Sequence, residues 1–161
     1  IFKKSSKILN KIISLNKTLI NDFGINNPKI IISGLNPHAG ENSLIGNEEE
    51  KYIKPIVKKL KSINLNIFGP QPADSILLNN NIKKFNCFIF NYHDQALIPF
   101  KIITNYRGVN YTGGLSIIRV SPVHGTAYDL VGKRIKKNTN LINCFNFIDK
   151  INKNRLKIVS T

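Results

Sequence analysis

Apolar side chains at Ile8, Ile12, Leu15, Leu19 and Phe23 recur at spacings of four and three, which predicts an amphipathic helix over residues 4–23. Gly24 stops it, and Asn27-Pro28 turns the chain into an apolar run at 29–35 that reads as a strand. After a loop at 36–41, a helix is expected over 48–63. Asn47 is placed to cap it, Glu48, Glu49 and Glu50 suit the positive end of its dipole, and Pro55 is an internal weakness able to kink it. A strand at 65–68 leads into Gly69-Pro70-Gln71-Pro72, then a short helix at 75–79, strands at 85–91 and 115–120, and a closing helix at 140–152. Strands and helices alternating at these lengths predict an α/β fold with mainly parallel pairing, and no repeat or linker divides it.

At 161 residues and 42% hydrophobic, the chain has material for one packed core. No apolar run reaches the roughly 18 residues of a membrane-spanning helix, and no secretory pattern opens the chain, so a cytoplasmic protein is expected. Cys87 and Cys144 both lie in apolar runs, which suits buried reduced thiols. The net charge of +15 raises nucleic acid as a partner. The lysines are scattered, however, among an excess of Ile and Asn, with no basic tail and no basic-aromatic groove. Compositional drift therefore accounts for the charge better, and a non-enzymatic polyanion-binding protein is kept as the competing class.

Chemistry concentrates where apolar runs end. The run at 29–35 ends in Asn36-Pro37-His38-Ala39-Gly40-Glu41, and that at 85–91 ends in Tyr92-His93-Asp94-Gln95. Open α/β sheets bind ligands beyond the carboxyl ends of their strands, so His38, His93 and Asp94 are candidates for metal binding or proton transfer. A structural His-Asp pair is the bland alternative for His93 and Asp94. Asp74, directly after the proline-rich loop, serves equally well as a helix N-cap or as a functional carboxylate. Lys101, Asn110 in Arg107-Gly108-Val109-Asn110, Arg119, and the loop His124-Gly125-Thr126-Ala127 complete the set.

Taken in order, Gly-Leu-Asn-Pro-His-Ala-Gly-Glu, Pro-Ala-Asp, Tyr-His-Asp-Gln, Arg-Gly-Val-Asn and His-Gly-Thr-Ala resemble the carboxyl-terminal half of the 4-hydroxythreonine-4-phosphate dehydrogenases of vitamin B6 biosynthesis. The resemblance implies the isocitrate/isopropylmalate dehydrogenase-like fold, incomplete at its amino-terminal side, with the whole chain one carboxyl-terminal portion. It also implies NAD-dependent oxidation of 4-phosphooxy-threonine with decarboxylation to 3-amino-2-oxopropyl phosphate. His38 and His93 would be two of three histidine ligands to a divalent ion such as zinc, cobalt or magnesium, shared across a homodimer. Lys101, Asn110 and Arg119 would hold the phosphorylated substrate, and Asp74 and Asp94 would serve as catalytic carboxylates. There is no Gly-x-Gly-x-x-Gly fingerprint. His124, Gly125 and Thr126 instead resemble the adenine-side loop of the isocitrate and isopropylmalate dehydrogenases, with a structural loop role as the alternative for His124.

These roles are chemically coherent. Neutral imidazoles leave an ion its Lewis acidity, Lys and Arg offer charge to phosphate and carboxylate, and Asn supplies neutral hydrogen bonds. The chain departs from the family's pattern at Val123, where an acidic residue is usual, and at Asn42 and Ser43, where glycines are usual. The family's amino-terminal half, with the third histidine, is not represented. The expectation is therefore a fragment, a subunit working with a separately encoded amino-terminal half, or a remnant, with little turnover by this chain alone and apolar surface left uncovered.

Overall fold

The computed structural model describes residues 5–123, 131–132 and 139–159. Helix α1 (Ser5–Asn21) buries Leu9, Ile12 and Leu19 and rests Ile8 and Leu15 on the same core, the face predicted by the spacing. Strand β1 (Ile30–Ser33) lies between β2 (Ile67–Gln71) and β3 (Cys87–Ile89), parallel to both, in the order β2-β1-β3. Its unbroken apolar character has a direct cause in packing. Ile30 and Ile32 enter the core shared with α1 and with α2 (Lys54–Ser62), while Ile31 enters a second core with Ile76 and Phe85 on the other face. A strand covered on both sides has no solvent-facing positions at which to alternate.

Several boundaries differ from expectation. The helix predicted at 48–63 is a π-helical turn (Glu49–Ile53) followed by α2, so Pro55 falls in the first turn of α2, where its missing N–H is not needed. The N-cap position is Glu48, not Asn47, and no side chain caps it. The short helix expected at 75–79 is a run of turns, and α3 (Asn79–Lys84) begins where it was to end. Residues after β3 form α4 (His93–Thr104), whose sequence is apolar around most of its circumference and so carries no helical periodicity. The strand expected at 115–120 begins only at β5 (Arg119–Pro122), which pairs antiparallel with β4 (Val109–Thr112). Among the described residues the pairing is thus parallel in the three-stranded sheet and antiparallel in this hairpin. The closing helix is longer than predicted, as α5 (Thr139–Val159).

The hairpin docks on α1 and α5 through Phe23, Tyr111 and Phe147, whose rings meet edge to face with centroids 5.6–5.8 Å apart. Beneath them Asp22, 5% exposed, accepts from Arg155 Nε at 2.6 Å and Nη2 at 3.2 Å, and from the Tyr111 hydroxyl. The same guanidinium donates to the Ser116 and Leu115 carbonyls at 2.8 and 3.1 Å. Both cysteines are free, and burial pushes the Cys87 thiol up to about 11. No helix among the described residues is long and apolar enough to cross a membrane. Uncovered apolar surface is present on α4, where Ile98, Ile102 and Ile103 are 59%, 74% and 58% exposed.

Burial alone would raise the Asp22 pKa, but the hydrogen bonds from Arg155 and Tyr111 outweigh it and hold the carboxyl below its ordinary value. Stability from this group is therefore full above the ordinary carboxylate range and is lost as pH falls through the lower folded value. Replacing Arg155 with Ala leaves a buried carboxylate without its cation. Urea denaturation at neutral pH is expected to show a loss of about 2–4 kcal/mol. The acid-side slope of stability should shrink in the variant; an unchanged slope would assign the acid sensitivity to other groups.

Candidate functional site

Because β2, β1 and β3 run parallel as neighbours, their carboxyl ends share one edge of the sheet. Asp74 follows the end of β2 by three residues, from Gln71 to Asp74. His38 follows β1 by five, from Ser33 to His38, and His93 follows β3 by four, from Ile89 to His93. All three are exposed. Asp74 does not cap a helix, since the turns after it delay α3 and the N-cap position there is Leu78. That capping expectation is thereby corrected, and Asp74 stands as an exposed loop carboxylate.

The exits of β1 and β3 are tied together by polar side chains. Ser33 is fully buried, and its Oγ donates to Gln95 Oε1 at 2.9 Å. Gln95 Nε2 donates to the Gly34 carbonyl at 3.0 Å, and the Asn91 backbone N–H donates to Gln95 Oε1 at 3.2 Å. Asn91 Nδ2 closes the set by donating to the Ser33 carbonyl at 2.6 Å. Gln95 lies in the first turn of α4, so this clamp also sets where the helix opens with His93. His93 Nδ1 lies 2.7 Å from Asp94 Oδ1. In the tautomer that donates Nδ1–H to that carboxylate, the ring keeps the Nε2 lone pair free for a ligand.

His38 sits in a different kind of setting. Residues 38–43 all have positive φ, at 51°, 54°, 82°, 41°, 56° and 72°. For L-residues such a left-handed run costs on the order of 1–2 kcal/mol per residue. Glu49 anchors the base of this loop. Its Oε1 accepts the Leu35 and Asn36 backbone N–H groups at 2.7 and 2.8 Å, and its Oε2 accepts Asn36 Nδ2 at 2.9 Å. Glu49 is 1% exposed; burial would raise its pKa, but the Asn36 and Leu35 donors outweigh burial and keep the carboxyl below its ordinary value. Gly40 is required here twice over, by φ +82° and because a Cβ would lie 2.8 Å from Glu49 Oε2.

The anion-binding candidates lie on α4 and the hairpin. Lys101, in the last turn of α4, carries its ammonium 5.9 Å from the Tyr106 ring centroid. In the hairpin register Asn110 faces Ser121 and Thr112 faces Arg119, which puts Asn110 and Arg119 on one face, opposite the Tyr111 face that packs on the helices. Arg119 Nη1 donates to Thr112 Oγ1 at 2.9 Å. His124, Gly125 and Thr126 lie outside the described residues. No group of three His, Cys, Asp or Glu among the described residues could by itself hold a metal. His38 and His93 are two solvent-facing imidazoles at neighbouring strand exits. That donor set fits part of a divalent-ion site and leaves the remaining positions to donors from elsewhere.

Residues 4–148 match the family described as pyridoxal phosphate biosynthetic protein PdxA. The chain belongs to this family. It is 43% identical over 126 residues to a 4-hydroxythreonine-4-phosphate dehydrogenase of Bacteroides thetaiotaomicron, a match covering 78% of this chain and 35% of that protein. Crystal structures of the Klebsiella pneumoniae and Burkholderia phymatum 4-hydroxythreonine-4-phosphate dehydrogenases each superpose with a TM-score of 0.76, at 31% and 36% identity. They are matched over 94% and 93% of this chain but 45% and 46% of their own. The chain thus spans less than half the length of these PdxA relatives. Its fold is the expected isocitrate/isopropylmalate dehydrogenase-like α/β fold, present in part.

Glu49, Gln95, Ser33 and Asn91 were not singled out as site residues from the sequence. Gln95 and Asn91 flank the His-Asp pair, and a polar residue closing a fully apolar strand, as Ser33 does, was the available signal. The φ values also give the physical reason that glycine suits positions 42 and 43, where this chain carries Asn and Ser. Ser43→Gly is expected to stabilise the protein by about 1 kcal/mol, and Asn42→Gly by less, because Asn tolerates the left-handed region. Chemical denaturation of the two variants checks this; a destabilised Ser43→Gly would contradict the left-handed assignment.

Proposed function

We propose that the chain is the carboxyl-terminal portion of an NAD- and divalent-metal-dependent dehydrogenase in pyridoxal phosphate biosynthesis. It oxidises 4-phosphooxy-L-threonine, and decarboxylation then yields 3-amino-2-oxopropyl phosphate. The observation that carries this reading is the delivery of Asp74, His38 and His93 to one sheet edge in a PdxA-family chain. A cytoplasmic location belongs to the same proposal, supported by the two free cysteines.

In this reading His38 and His93 each give an imidazole nitrogen to the ion, with further donors from a second copy of the chain or from a separate amino-terminal half. When bound, the ion would supply Lewis acidity at the substrate hydroxyl, and NAD would supply the acceptor for the hydride from the carbon that bears it. Asp94 holds the Nδ1 proton of His93 and so orients the ring. Asp74, exposed at the same edge, accepts the hydroxyl proton. Lys101 and Arg119 bind the phosphate and carboxylate, Arg119 with two parallel N–H groups, and Asn110 completes the polar face. His124, Gly125 and Thr126 take the adenine side of NAD. Nucleic acid is not part of the proposal, since the lysines are scattered along the chain.

The test supplies the missing portion. The chain is mixed with the amino-terminal half of the Klebsiella pneumoniae relative, NAD, substrate, and zinc, cobalt or magnesium in turn, and NADH fluorescence is followed. Substrate-dependent NADH formation is expected, with His38→Ala and His93→Ala each lowering the rate by about a hundredfold or more. Rates that survive either substitution would defeat the reading, as would a silent mixture beside an active intact relative.

A further inference from the structure

We propose that Glu49 is a positioning residue that holds His38 at the site by locking its loop in the left-handed form; this rests on the assignment of His38 as a metal ligand. Three observations converge on it. The carboxylate is 1% exposed, yet no Lys, Arg or His pairs with it among the described residues; it accepts from the Leu35 and Asn36 N–H groups and the Asn36 amide. A buried carboxylate spent mainly on one loop is a poor stabiliser compared with an apolar side chain of its size. Its use is better sought in what that loop carries.

Second, the loop is the most strained backbone described, with six consecutive positive φ values beginning at His38. Such a run persists only when its surroundings over-determine it. Third, the loop closes around the carboxylate. A Cβ at Gly34 would meet Glu49 Oε1 at 3.2 Å and Ala39 Cα at 2.8 Å, and one at Gly40 would meet Oε2 at 2.8 Å. Glu49 therefore touches the chain on both sides of His38, four residues before it and two after, and fixes the path between. Glu48 adds an outer contact by accepting from Asn36 Nδ2 at 2.7 Å.

The chemistry indicates the variant. Glu49→Gln keeps the size and one oxygen for the two backbone N–H groups, but turns an amide NH2 toward the Asn36 amide, donor against donor. Moving the charge restores complementarity. In the triple variant Asn36→Asp, Glu48→Gln, Glu49→Gln, residue 36 accepts from both glutamines. Zinc affinity is measured by competition with a chromophoric chelator on the full chain mixed with the amino-terminal half of the Klebsiella pneumoniae relative. In parallel, the strong intraresidue HN–Hα cross-peaks that mark positive φ are followed at residues 38–43 by NMR.

Glu49→Gln is expected to weaken zinc binding about 10–100-fold, with loss of the positive-φ cross-peaks and an intact core spectrum, and the triple variant should recover both. Cross-peaks unchanged in Glu49→Gln would overturn the proposal, whether or not zinc binding falls. If the unsubstituted mixture binds no zinc, the metal assignment of His38 fails separately, and the cross-peaks alone decide whether Glu49 sets the loop. If Glu49→Gln does not fold, Asn36→Ala replaces it, removing the side-chain contacts to the carboxylate while leaving both backbone ones. Unchanged cross-peaks in that variant would likewise overturn the proposal.

Discussion

The structure depends on β1 lying between two parallel neighbours and being covered on both faces. That constraint makes the strand apolar at every position except its last, and it aligns the carboxyl ends of three strands along one edge. A parallel arrangement obliges each connection to cross back over the sheet, so the loops that leave this edge are the ones free to carry function. The candidate residues reach a common region because they follow strands that must pair this way, although they stand far apart in sequence.

Holding such loops in place requires polar groups inside an apolar core, and each of those must find a partner. Two solutions are used side by side. At β3 the solution is regular: Gln95, in the first turn of α4, satisfies Ser33, Gly34 and Asn91 without backbone strain. At β1 it is strained, with a buried carboxylate gathering the N–H groups of a backbone wound against its natural hand. The first fixes the relation between two strands, and the second fixes a loop. Beyond this edge α4 turns Ile98, Ile102 and Ile103 to solvent in a chain less than half as long as its solved relatives.

What could be read from the sequence followed the strength of local signals. Helix α1 was legible because its apolar positions trace one face, and β1 because a short β-branched run bounded by a turn has few alternatives. Helix α4 was not, since apolar residues surround it and Pro99 interrupts it. The hairpin was displaced because Leu115, Ile117 and Ile118 read as strand, whereas the chain turns there and leaves Ile117 68% exposed. In the site, His38 and His93 could be singled out by residue type and position at strand exits. Glu49 could not: among three consecutive glutamates nothing local distinguishes the one that is buried. Its partners, Leu35 and Asn36, are set by tertiary contact 14 and 13 residues away.

The pairing of Asp22 with Arg155 joins residues 133 positions apart. At the roughly 5–20 residues per second of ribosomal synthesis, Asp22 emerges about 7–27 s before its cation exists. Through that interval the carboxylate must stay hydrated, and Phe23 beside it waits for Phe147. The segment from α1 to β1 can therefore bury the isoleucines of β1 and the inner face of α1 well before it can seal the end of that helix. Final closure waits for α5, which converts a solvated, unfinished seam into the buried ion pair on which the hairpin sits.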